Sequence, residues 1–222
     1  MNSNIKKYYL IFILFSYFLL SCTSESQETT SSRANGDLNE TFIESGEIET
    51  DSTKYENEVI VQKNNLIKDG WESYHFKNGL MPDCYNFVPT QDKSLDNYLE
   101  LIVGGGTDVA VKLLNKESDK CIRYVFVNRN SSYKIQNIPE GKYYVKIAYG
   151  KDWMSKVEYN QCLGKFLRHP EYEIGVDVLD FNLKYEGNSY SVPYYILSLD
   201  VVDTDFLNSF NSQNITEVEF NK

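Results

Sequence analysis

The chain has 222 residues, 14% of them aromatic with 18 tyrosines, and its 32 acids against 22 bases give a formal net charge of −10. That balance excludes nucleic acid as a partner, because binding phosphates takes a basic face. The charge is uneven: residues 23 to 58 hold ten acids and only two bases, Arg33 and Lys54, while residues 59 to 222 have the length of one domain.

Taken in chain order, the first signal is Lys6 and Lys7 ahead of 13 almost wholly apolar residues, Tyr8 to Leu20. A charged start and a short apolar run predict a secretory signal peptide over residues 1 to 21. A membrane-spanning helix takes about 20 apolar residues, so the run is short for an anchor. Leu19-Leu20-Ser21-Cys22 resembles the lipobox of bacterial lipoproteins. The resemblance implies cleavage after Ser21 and acylation of Cys22, which makes a membrane the first expected partner. Two or three acyl chains hold stably where one is marginal. Thr23 stands where inner-membrane lipoproteins of enterobacteria carry Asp, so the analogy favours the outer membrane and leaves its periplasmic and surface faces open. Cleavage removes two lysines and no acid, which leaves 20 bases and 32 acids, a net charge of −12.

Residues 22 to 58 are rich in Ser, Thr and Glu and poor in aromatics. Such a segment buries too little apolar surface to offset its ordering entropy, which predicts a disordered acidic tether. The β domain is then expected over residues 59 to 222, with its core over 98 to 202. Residues 59 to 90 read as a mixed lead-in, with Trp71, Tyr74 and Phe76 as packing anchors.

Alternation of apolar and polar residues marks the strands. Leu99, Leu101 and Val103 share one face; Gly104, Gly105 and Gly106 then break the chain. Val109, Val111 and Leu113 form the next apolar face, with Lys112 opposite. After the polar turn Asn115 to Lys120 come Ile122, Tyr124 and Phe126, then a turn over Asn128 to Ser131, then Tyr133 and Ile135. Tyr143, Val145, Ile147 and Tyr149 make the clearest strand, with Lys142, Tyr144 and Lys146 expected outward. Residues 150 to 175 read as irregular. Leu179 to Tyr185 resumes the alternation, Gly187-Asn188 is a hairpin turn candidate, and Tyr195 to Val201 is the returning strand, where Pro193 marks an edge or a strand start. The tail from Asn208 reads as polar and loose. Short strands joined by short turns predict an all-β fold, an antiparallel β-sandwich.

The stretch Ile138-Pro139-Glu140-Gly141-Lys142-Tyr143-Tyr144-Val145-Lys146-Ile147 resembles the carboxypeptidase-regulatory, prealbumin-like β-sandwich. Gly141 can take a positive φ in the turn, and Tyr143, Val145 and Ile147 then point to one face. More broadly, the chain from Met81 onward resembles a family of uncharacterised bacterial secreted proteins that carry this module. The resemblance implies a prealbumin-like sandwich of accessory character and brings no catalytic residue. The His-x-x-Glu signature of the zinc carboxypeptidases is missing from the sequence.

The chemistry-bearing residues are sparse. His75 and His169 fall on separate segments, and His169-Pro170-Glu171 is the one pair suggestive of a transition metal. Asp177 with Asp180, or Asp200 with Asp203 and Asp205, are the oxygen-rich groups, and they lack the glycine and terminal glutamate of a calcium loop. Neither pattern supports a metal site or a cofactor. Cys84 and Cys162 are candidates for a disulfide, and Cys121 opens a strand as a small buried apolar residue. Tyr149, Trp153 and Tyr159, beside Lys151, Asp152 and Lys156, are the candidate ligand-binding aromatics, since stacking platforms beside polar groups suit sugars or peptides. The plainer reading has Trp153 capping the core. The sequence thus predicts a non-catalytic, membrane-anchored lipoprotein whose β-sandwich binds an envelope protein or other ligand. The alternative is a carbohydrate-binding module of a polysaccharide-handling system.

Overall fold

The computed structural model describes residues 51 to 222 apart from 83, 86, 203, 204 and 207, and apart from the side chains of 202, 205 and 206. The expected signal peptide, Cys22 and the tether up to residue 50 lie outside the described residues. The chain begins with α1 (Asp51–Lys68), followed by β1 (Glu72–Ser73), β2 (Tyr98–Val103), β3 (Asp108–Asn115), β4 (Cys121–Val127) and β5 (Ser131–Gln136). A long hairpin comes next, β6 (Lys142–Glu158) and β7 (Gln161–Gly175). Then come β8 (Leu179–Asp180), β9 (Lys184–Glu186), β10 (Ser189–Ser191), β11 (Tyr194–Leu199), β12 (Val201–Val202), β13 (Asp205–Phe206), β14 (Ser212–Asn214) and α2 (Glu217–Asn221).

The fold is an all-β sandwich. Its larger sheet runs β14-β7-β6-β3-β4, with β1 and β8 also paired to β6, and every pairing in it is antiparallel. The smaller sheet is β11-β2-β5. There β11 runs parallel to β2, from Tyr194↔Tyr98 to Leu199↔Val103, so the returning strand pairs across the domain rather than with its sequence neighbour. Nothing local in a sequence specifies such a partner. The expected turn at Gly187 does close the β9–β10 hairpin, with Gly187 at φ 62°.

The inter-sheet core is built from the predicted faces: Leu99, Leu101 and Val103 of β2, Val109, Val111 and Leu113 of β3, and Tyr143, Val145, Ile147 and Tyr149 of β6. The other face of the large sheet is covered too. Ala110, Tyr124, Phe126, Ala148, Trp153, Phe166 and Tyr172 pack there against Phe76 of the lead-in and Phe220 of α2. Trp71, Phe76 and, at the margin, Tyr74 are the expected packing anchors.

That second core corrects several expectations. Lys112, expected outward, is only 2% exposed. Its Nζ donates to the Phe220 carbonyl at 2.7 Å and lies over the rings of Tyr85, Tyr124 and Phe220. Burial pulls its pKa down to about 8. Tyr144, also expected outward, is buried with its hydroxyl donating to Asp119. Alternation separates the two faces of a strand; it does not say that the second face is wet. The tail is ordered: β14 pairs with β7, and α2 carries a capping box of Thr216 and Glu219 that buries Phe220 completely. Residues 51 to 58, expected within the tether, form the first turns of α1. Val59 is buried, Glu56 pairs with Arg168, and Tyr55 stacks on His169. Composition averaged over the acidic stretch conceals a short segment held by such tertiary contacts.

Residues 150 to 175 are not irregular but form most of the β6–β7 hairpin. The register shifts between Tyr149 and Lys151. Gly150 has φ 152°, and a Cβ there would stand 2.3 Å from that of Phe166. Asp152 and His169 adopt left-handed φ of 58° and 50°. This bulge breaks the period-2 pattern, so the second half of the strand carries the opposite phase. Tyr159 and Asn160, both left-handed, make the hairpin tip.

Candidate functional site

The three aromatics expected to bind ligand do not meet. Tyr149 and Trp153 are four residues apart and would share a face of a regular strand. The bulge between them sends Tyr149 into the inter-sheet core and Trp153 into the second core, at 0% and 1% exposure. Tyr159 stands 93% exposed at the hairpin tip, ten residues on from Tyr149, or about 30 Å of extended chain. The aromatic platform is therefore corrected: Trp153 is a core residue.

Lys151 and Asp152, the polar neighbours of those aromatics, line a cleft. The bulge opens a cleft of about 510 Å³ onto which Tyr74, His75, Arg129, Lys151, Asp152 and Arg168 converge. They come from the lead-in beside β1, the β4–β5 turn, the β6 bulge and the facing segment of β7. Lys151 and Arg168 are direct cross-strand partners. The Arg168 guanidinium is held by Asp152, whose Oδ2 lies 2.6 Å from Nε, and by Glu56 of α1. Asp108 accepts the backbone N–H of Arg129 at 2.9 Å. The side chains of Arg129 and Lys151 have no carboxylate within 4.0 Å among the described residues. The sequence does not single out His75, Arg129 and Arg168 as a group, because their spacing along the chain has no local pattern.

A disulfide joins Cys84 to Cys162, with Cα atoms 5.3 Å apart. It ties the lead-in to the far half of the hairpin and borders a second cavity of about 750 Å³, shared with Tyr85, Cys121 and Val218. Cys121 is half-buried, and its thiol donates to the Arg123 carbonyl at 3.1 Å. Burial pushes the thiol pKa up, against the smaller pull of Lys112. A thiol held protonated is a poor nucleophile. His169 is engaged in its stack on Tyr55, and Asp177 and Asp180 accept hydrogen bonds from Asn211 and Asn182.

One buried acid has no signal in the sequence pattern. Glu173 is fully buried beside Tyr149, whose hydroxyl donates to it, and Asn208, which donates at 2.6 Å. Burial raises its pKa, outweighing those hydrogen bonds. The folded state then keeps a proton that the unfolded chain gives up above pH about 4.3. Stability should fall as pH rises from there through the raised native pKa, and level off above it. Glu173→Gln keeps the acceptor and removes the titration. Urea unfolding at pH 4 and pH 8 should show the variant gaining on the parent at pH 8, with a smaller difference at pH 4. Identical pH slopes would show that Glu173 is not the titrating group.

No family model matches the chain, and no curated protein or solved structure matches it either.

Proposed function

We propose that this chain is a lipid-anchored envelope protein, attached to the outer membrane through acylated Cys22, whose β-sandwich binds a ligand in the cleft at the β6 bulge and catalyses no reaction. The observation that carries the anchor is Leu19-Leu20-Ser21-Cys22 directly after the apolar run. The binding reading is supported by a cleft whose volume falls within the usual range for ligand sites. The non-catalytic reading is supported by how its acids are used: Asp152 is engaged by Arg168 and Asp108 by the Arg129 amide. The kinship with secreted proteins bearing a carboxypeptidase-regulatory module rests on residues 138 to 147 and belongs to the same proposal.

Metabolic labelling with an alkyne fatty acid tests the anchor. The parent should take up label and sediment with membranes. Cys22→Ala should lose the label and accumulate as the uncleaved precursor. Equal labelling of the two proteins would end the lipoprotein reading.

A further inference from the structure

We infer that the cleft at the β6 bulge recognises a saccharide through an acidic group, a carboxylate or phosphate carried on the sugar; the inference rests on the binding reading above and names its ligand class. The first ground is charge. In a chain of net −10, this cleft gathers three bases, Arg129, Lys151 and Arg168, against two acids, Asp108 and Asp152. Lys151 and Arg168 oppose each other directly across the β6–β7 pair, an arrangement of like charges that costs stability. Asp152 and Glu56 offset Arg168. No carboxylate lies within ion-pair distance of Lys151 or Arg129 among the described residues. An anion seated at Lys151 would supply the counter-charge that this side of the cross-strand pair lacks. A guanidinium offers a fork that fits carboxylate or phosphate, and an ammonium adds a point charge.

The second ground is the wall. Tyr74 lines the same cleft and is half-exposed. Its ring stacks on Phe76 at 5.7 Å and 12°, and Phe76 is buried in the second core, so the ring is held in place from behind. A fixed aromatic face beside polar side chains accepts the C–H face of a sugar ring. The third ground is the backbone. The bulge at Gly150 and the left-handed Asp152 place Lys151 at the cleft, and strain of this kind persists where the surrounding structure enforces it. The acidity of the whole chain disfavours a dense polyanion. It leaves a saccharide with separated acidic groups, bound less tightly as salt rises.

The test uses the full-length protein in non-ionic detergent and calorimetric titration with trigalacturonate, its methyl ester, and inorganic phosphate. Trigalacturonate should bind, and the neutral ester should bind at least tenfold more weakly. Lys151→Gln and Arg129→Gln should each weaken trigalacturonate about tenfold with the unfolding midpoint unchanged. Tyr74→Leu should weaken trigalacturonate but leave phosphate untouched, which separates the acidic sugar from a free anion. Ester and acid binding alike, undiminished in Lys151→Gln, would overturn acid recognition while keeping the cleft as a binding site. Phosphate binding as tight as trigalacturonate and insensitive to Tyr74→Leu would overturn the saccharide. Binding of none of the three probes by a normally folded protein would overturn this inference and the binding reading together. The anchor is scored separately, by fatty-acid labelling.

Discussion

Trp153→Ala should destabilise the domain by about 3–5 kcal/mol, the range for emptying a buried aromatic site. The indole is 1% exposed and meets Phe126 and Phe166 edge-on, with centroids 6.1 and 4.8 Å away. It lies over Gly164, where a Cβ would stand 2.1 Å from the ring. Gly164 thus forms one wall of the slot, and Gly164→Val should be nearly as damaging. The indole Nε1 is buried without a hydrogen-bond partner among the described residues, so Trp153→Phe should cost much less than the alanine change. Tyr159→Ala, at the exposed tip, should stay within about 0.5 kcal/mol of the parent. Urea unfolding monitored by circular dichroism ranks the four. A Trp153→Ala protein as stable as Tyr159→Ala would mean that the second core does not hold the hairpin.

The second large effect is expected on loss of the Cys84–Cys162 bridge. It spans 78 residues, and in the chain-entropy account closing a loop of that length stabilises by about 4.5 kcal/mol. The residues it fixes are those that cover the outer face of the large sheet, among them Tyr85, which packs edge-on against Tyr124. Cys84→Ser with Cys162→Ser should therefore lower the urea midpoint strongly, and a reductant should do the same to the parent while leaving the double variant unmoved. Cys121→Ser should barely respond to the reductant differently from the parent. A parent whose midpoint ignores the reductant would argue that the bridge lies outside the cooperative unit.

How far the sequence can be read depends on what each signal encodes. Period-2 alternation is local, so the faces of β2, β3 and the first half of β6 are legible, whereas in β4 the expected face divides at the irregularity opposite Leu113 and Leu114: Ile122 joins Val125 and Val127 in the inter-sheet core, and Tyr124 and Phe126 turn to the second core. Across Gly150 the phase shifts, and the same rule then reports irregularity where the strand continues. The covering of the second face is illegible because it depends on distant segments: Lys112 is buried by Tyr85, Tyr124 and Phe220, and no feature of Val111-Lys112-Leu113 announces that. The order of the tail is available in part, since Thr216 and Glu219 have the spacing of a capping box. The cleft is legible only at Lys151 and Asp152. Its other members lie at positions 74, 75, 129 and 168, on the lead-in, the β4–β5 turn and β7, and only the tertiary fold brings them together.

The parallel pairing of β2 with β11 bears on how the chain can be made. Tyr98 finds Tyr194, and Val103 finds Leu199, across roughly 96 intervening positions. Contacts of such long separation slow folding, because the chain between must be closed before they form. A polypeptide that emerges amino end first, from a ribosome or through a translocation pore, exposes the β2 edge and the apolar row Leu99, Leu101 and Val103 long before residues 194 to 199 arrive. Phe220, which closes the outer face, arrives later still. Early folding is thereby denied a complete nucleus, and the nascent chain stays threadable while remaining prone to self-association at that open edge.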